Sequence, residues 1–214
     1  MKLTVFGATG RTGGLVVQQA LDVGHQVTAV VRNPDKLTAH GSGLTVAVVP
    51  DLADTEALVP LIQGATAVLS GLGPTSPRNT GIAESGTRAI VRAMELTDVR
   101  RLITISALPV GPTPEGESFV GRRIAYPLIR RLFAKVYADV GAMEQVMAAS
   151  ALDWTAVRPG NLGNQPFTGR YRHLVAANVP NAGTLGRADL ACAMLAFIDD
   201  PATVKQVVGL GAAR

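Results

Sequence analysis

The chain has 214 residues, 47% hydrophobic and 17% charged, with a formal net charge of +4. That balance belongs to a folded chain with one good-sized core and excludes a disordered polymer. No apolar run approaches the roughly 20 residues needed to cross a bilayer, and the single cysteine, Cys192, excludes an internal disulfide.

Residues 2–6 read as a buried strand. The run before the first glycine is too short for a secretory signal core, so a cytoplasmic protein is expected. A glycine loop follows, and then Leu15, Val16, Gln19, Ala20 and Val23 recur at helical spacing up to Gly24. Residues 26–31 and 44–49 read as strands, and Asp54-Thr55-Glu56 opens a short helix closing near Gly64. Residues 66–70 form a fourth strand, 81–96 a long helix and 101–106 a fifth strand. After a proline-rich loop, 119–149 reads as helix with a kink at Pro127. Residues 154–157 make a sixth strand, 187–198 a helix and 204–208 a short last strand. Strands alternating with helices predict an α/β fold, a doubly wound parallel sheet buried on both faces. No linker divides the chain, so 1–214 is expected to be one domain, with a small C-terminal substrate-side lobe over 160–214. No coiled-coil repeat or obvious exposed apolar stripe marks an oligomer, so the sequence leaves the oligomeric state open, with a monomer one reading.

The stretch "VFGATGRTGG" places Gly7, Gly10 and Gly13 between a strand and a helix. In that context the first glycine turns the chain and the second lets backbone approach a pyrophosphate. The third lets the helix pack against the sheet. Thr9, Arg11 and Thr12 complete the loop, whose free N–H groups at the helix start favour an anion. No Gly-Lys-Ser/Thr follows, so ATP hydrolysis is not expected. The second strand ends in Arg32, with Lys36 close behind, where an NAD-binding fold places an acid. A guanidinium there fits the 2′-phosphate of NADP(H). Ligands of open α/β sheets lie at the C-terminal strand ends. Here those ends are Asp51-Leu52, Gly71-Leu72-Gly73 and Ser106-Ala107. Asp51 is expected to meet the adenine amino group, Gly73 to let backbone approach the ribose, and Ser106 to hydrogen-bond the substrate or the nicotinamide. Pro159, Gly160 and Asn161 complete the edge.

The glycine loop, Arg32, Ser106 and "DWTAVRPGNL" together resemble the atypical short-chain dehydrogenase/reductase superfamily, a Rossmann-like fold. "GNQPFTGRY" at 163–171, followed by "GRADLACAMLAFI", looks like the group that includes biliverdin IX-beta reductase, also known as flavin reductase. The resemblance implies an NADPH-dependent reductase that passes hydride to a flavin, quinone or tetrapyrrole-like acceptor, with Leu52 joining Asp51 at the adenine and Gly71 and Leu72 joining Gly73 at the ribose. It also admits a non-catalytic NADP(H)-binding regulator of the NmrA type, and an epimerase or ketoreductase. The Tyr-x-x-x-Lys pair of ordinary short-chain dehydrogenases is missing: Arg130 follows Tyr126 and Gly141 follows Tyr137. Asn161 stands where the flavin-reductase group carries a pocket histidine.

Asp139 and Glu144 lie on the helix where short-chain enzymes keep an acid/base group, and solvated charges are an equal reading. His25, His40 and His173 are scattered, so no metal site is expected. There is no Gly-x-Ser-x-Gly elbow, and Cys192 among small apolar residues reads as core. The basic segment 119–136 reads as a pocket lid with a solvated outer face in preference to a membrane-binding helix. Aromatic content of 4% leaves few stacking residues for nucleic acid.

Overall fold

Four of the five side chains of the first strand, β1 (Lys2–Phe6), are buried, as expected of a central strand. In chain order there follow α1 (Gly13–Asp22), β2 (Gln26–Val31), β3 (Leu44–Val48), α2 (Thr55–Ile62), β4 (Ala67–Ser70), α3 (Ile82–Glu95) and β5 (Arg101–Ile105). Then come α4 (Tyr126–Leu132), α5 (Ala134–Ala149), β6 (Asp153–Pro159), β7 (Asn161–Gly163), β8 (Tyr171–Val175), β9 (Thr184–Gly186), α6 (Arg187–Ala196) and β10 (Gln206–Ala212). A computed structural model of the chain describes residues 1–74 and 80–213.

The main sheet runs β3-β2-β1-β4-β5-β6-β10-β8, parallel throughout except for β8. Strand order reverses between β1 and β4. That switch point opens a crevice at the C-terminal edge, where the first loop and the end of β4 meet. Successive side chains of a strand point to opposite faces, and the core divides accordingly. Leu3, Val5, Val27, Ala29, Val31, Leu69 and Ile103 pack under α1 and α6. Phe6, Val30, Val68, Leu102 and Ala156 pack under α2, α3 and α5. The fold is therefore the doubly wound α/β sheet that the alternation of elements predicts.

The expected kink at Pro127 takes a specific form. Pro127 lacks an N–H, and the turn before it, Gly121–Ala125, is a π turn. A second break lies at Phe133 (φ −111°, ψ 27°), which no sequence signal marks. The last strand is longer than 204–208 and lies further along, and β8 was not anticipated. Gly209 and Gly211 lie beyond the predicted end of the last strand and within β10. A Cβ on Gly209 would come 2.4 Å from Ala177 O, and one on Gly211 would come 3.0 Å from Ala182 Cα. The glycines let the 177–182 loop press onto the strand, which is one meaning of a strand glycine.

Candidate functional site

The glycine loop is built by backbone contacts that exclude side chains. Gly7 has φ +70°, in the left-handed region, and a Cβ there would come 2.8 Å from Gly71 C. A Cβ on Gly13 would come 2.2 Å from Gly7 O, so this glycine holds α1 against the loop. At Gly10 the nearest atom is Gly7 O at 3.0 Å, and the other side opens into a cavity. That cavity, of about 190 Å³, is lined by Gly7, Thr9, Gly10, Arg32, Leu52, Gly71, Leu72 and Gly73. α1 begins with no acid in its first turn and no side-chain cap, so among the described residues no side chain neutralises the positive end of the helix. Arg32 is exposed at the end of β2 and enters no ion pair among the described residues. Arg11 lies beside this cavity, in a cleft of about 570 Å³ shared with Thr9, Gly10, Lys36 and Thr38. Thr12 and Gly13 are buried at the helix start. Asp51 does not line the cavity; its Oδ1 accepts from Ala53 N at 2.9 Å and shapes the turn before α2.

Ser106 belongs to a second cavity, of about 350 Å³, at the ends of β5 and β6. Pro159, Gly160 and Asn161 line this cavity and not the one at Gly10. Ser106 is buried, and its Oγ donates to Glu144 Oε1 at 2.5 Å. Arg158 holds the same carboxylate twice, with Nε 2.8 Å from Oε1 and the other contact 2.5 Å from Oε2. The glutamate and arginine side chains are 12% and 11% exposed, so the pair is nearly desolvated. Ser106 thus turns lone pairs, not its proton, toward a ligand. Asp139 is engaged elsewhere: its carboxylate accepts from Ala83 N at 3.3 Å and Glu84 N at 2.9 Å, capping α3 from a different helix. Glu117, on the same wall as Ser106, accepts from Ser118 N and Asn181 N, both at 3.0 Å.

Tyr126 and Tyr137 line the Ser106 cavity too, a grouping that motif spacing does not disclose. Burial, with the Glu117 carboxylate adding to it, pushes the Tyr126 phenol up to about 12. Burial also raises Tyr137. Both phenols therefore hold their protons at neutral pH; Tyr126 is hydrogen-bonded to the Glu117 carboxylate, and Tyr137 can donate into the cavity. A folded-state value above the unfolded value near 10 means stability that is complete below about pH 10 and lost as pH rises toward 12. Tyr126→Phe should therefore lose less stability than the wild type between about pH 10 and pH 12. Denaturant titrations below and within that window measure the difference; parallel losses would refute it.

With this geometry in place, residues 7–201 match the protein family described as NAD(P)H-binding. The chain belongs to that family. The open face at Gly10, a helix start without side-chain cap or acid, and an exposed Arg32 in no ion pair among the described residues fit a dinucleotide without steric objection. A relative over nearly the whole length is the uncharacterized sugar epimerase YhfK of Bacillus subtilis, 26% identical over 98% of this chain and 94% of that one. Among solved structures, a candidate NADH-flavin reductase from Streptococcus pneumoniae superposes with a TM-score of 0.80. It is 20% identical, and the match covers all of both chains. The anaerobillin reductase ChuY of Escherichia coli O157:H7 gives 0.75 at 20% identity, over 99% of this chain and 97% of that one. These structural likenesses establish the shared fold.

In this NAD(P)H-binding chain the "GNQPFTGRY" stretch lies away from Ser106. Asp189 Oδ1 accepts from Thr168 N and Gly169 N, and Oδ2 from Thr168 Oγ1, each at 2.9 Å. The threonine, the glycine and the acid of "GRAD" thus form one anchored turn. Gln165, Pro166 and Phe167 wall an apolar cleft of about 900 Å³ between α1 and α6. Cys192 lies half-buried in that cleft, and burial raises its thiol, with Asp189 adding to the effect. That environment suits packing and disfavours a thiolate nucleophile. Among the described residues no group of three or more His, Cys, Asp or Glu could hold a metal ion.

Proposed function

We propose that the chain is an NADPH-dependent reductase that delivers hydride to a planar conjugated acceptor: a flavin, a quinone or a tetrapyrrole-like molecule. The observation that carries this reading is the state of the carboxylates around Ser106. Glu144 is held by Arg158 and Ser106, Asp139 caps α3, and Glu117 is held by backbone N–H groups. Gly141 stands where a lysine would activate Tyr137. Among the described residues around the Ser106 cavity no carboxylate is left free to abstract a proton from a sugar or an alcohol, which disfavours the epimerase and dehydrogenase readings. A conjugated acceptor needs none, because its proton comes from solvent.

The chain's own residues then bind, orient and exclude water. Gly7, Gly10 and the first turn of α1 receive the pyrophosphate, and Arg32 with Lys36 receives the 2′-phosphate. The bound cofactor supplies the hydride. Leu108, Pro109, Ile129 and Leu162 give the acceptor cavity an apolar wall. Ser106 offers an acceptor and the protonated Tyr137 a donor, so a ring bearing both carbonyl and N–H groups can be held flat. The volume lies at the lower end of small-molecule pockets and suits one fused ring system.

Arg32→Ala should weaken NADPH binding by about 10- to 100-fold, the loss of one or two charge-assisted hydrogen bonds, and change NADH binding by less than about twofold. Nicotinamide fluorescence titrations measure both, and equal losses would remove the 2′-phosphate contact. NADPH oxidation is then followed with FMN, quinones and biliverdin. Tight binding without turnover on any of them would favour a regulator of the NmrA type.

A further inference from the structure

Among the described residues, six of the thirteen exposed large hydrophobics fall within residues 119–132: Phe119, Val120, Ile124, Leu128, Ile129 and Leu132. Phe119 is 76%, Leu128 62% and Leu132 69% exposed. The outer face of this segment therefore carries an apolar row as well as the charges that the sequence shows. Val120, Ile124, Leu128 and Leu132 recur every four residues. The π turn at Gly121–Ala125 takes up an extra residue, which keeps the upper part of the row in line. Arg122, Arg123, Arg131 and Lys135 are interleaved with that row, exposed and without an ion pair among the described residues. The acids nearby do not balance them. Glu117 faces Asn181, Asp139 caps α3, and Glu115 alone is exposed. The inner side of the same segment, through Gly121, Ala125, Tyr126 and Ile129, walls the Ser106 cavity.

We propose that residues 119–135 seat the protein on a bilayer rich in anionic lipid, with the Ser106 cavity opening beside the membrane. An apolar row flanked by arginine and lysine suits the boundary between acyl chains and phosphate headgroups. A second copy is a poor occupant, because two-fold pairing would set these cations against themselves. Resting on the reductase reading, the placement also selects the acceptor: a quinone dissolved in the lipid. The quinone takes a hydride, which is two electrons and one proton, and a second proton from solvent. The products are the quinol and the oxidised cofactor.

Flotation with phosphatidylcholine vesicles, with and without phosphatidylglycerol, tests the surface. The wild type should float with the anionic vesicles and be released by salt, since the headgroup attraction is screened. Leu128→Glu/Leu132→Glu, at exposed positions outside the cavity, should lose at least about tenfold in binding with an unchanged melting temperature. Arg122→Gln/Arg123→Gln/Arg131→Gln should lose about fivefold per arginine on the anionic vesicles alone. Absence of flotation, equal flotation of wild type and variants, or a concentration-dependent dimer abolished by the leucine changes would overturn the proposal. A long-chain quinone in anionic vesicles should be reduced faster than in neutral ones, and equal rates would overturn the acceptor assignment. Reduction of a water-soluble acceptor without vesicles is measured alongside. Should vesicles bind but no acceptor be reduced, the reductase reading fails and the surface stands.

Discussion

Gly13→Ala should lose about 2–4 kcal/mol of stability and at least about 100-fold in dinucleotide affinity, because the added methyl overlaps atoms that cannot retreat. The new Cβ would come 2.2 Å from Gly7 O and 2.8 Å from Gly7 C. Both are backbone atoms. Gly7 is itself locked, with φ +70° and Gly71 packed where its own Cβ would be. The loop would have to pull away from the end of β4, and the cavity at Gly10 would change shape with it. Gly10→Ala separates the two effects. Its Cβ meets only Gly7 O at 3.0 Å and otherwise points into the open cavity. It should bind dinucleotide poorly while losing less than about 1 kcal/mol of stability. Chemical denaturation and NADPH titration of both variants decide the matter. A Gly13→Ala protein that binds normally would refute the assignment of the cradle.

Glu144→Ala should cost about 3–5 kcal/mol, because it leaves a nearly buried guanidinium with no acceptor among the described residues. The penalty belongs to the orphaned Arg158 more than to the value of the pair. Removing both charges should therefore recover most of the loss, as in Glu144→Leu/Arg158→Met. Ser106 supplies a functional readout. Freed from Glu144, its hydroxyl gains a proton to give, so KM for the acceptor should change in the single variant even where the protein remains folded. Thermal and urea unfolding measure the first effect and steady-state kinetics the second. A loss below about 1 kcal/mol in Glu144→Ala would show that Arg158 finds other partners. A base role for Glu144 predicts something different: loss of kcat in Glu144→Gln without a marked loss of stability.

Much of this protein could be read along the chain. The alternation of apolar strands and helices fixes the layered sheet. The predicted second strand and the observed β2 coincide at 26–31, and Asp54 caps α2 through Ala57 N as its position before the helix implies. The glycine spacing, Arg32 and the end of β4 do lie together at the switch-point crevice, because their meaning is local: a turn angle, a missing Cβ, a charge after a strand. The ends of β5 and β6 open on a second cavity instead. What tertiary structure decided lies between residues far apart in sequence. Ser106 meets Glu144 across 38 positions, and Asp139 meets the start of α3 across 55. On the sequence alone Asp139 and Glu144 read equally as pocket groups or as solvated helix charges. Tyr126 and Tyr137 reach one cavity although neither carries the expected lysine, and Gly209 and Gly211 turned out to be strand residues under a pressing loop. Periodicity says which face of a helix is buried. Which atoms meet there depends on how each helix is rotated and packed against the sheet, and on which loop covers a strand. Those are set by the fit of the whole core, which no local spacing records.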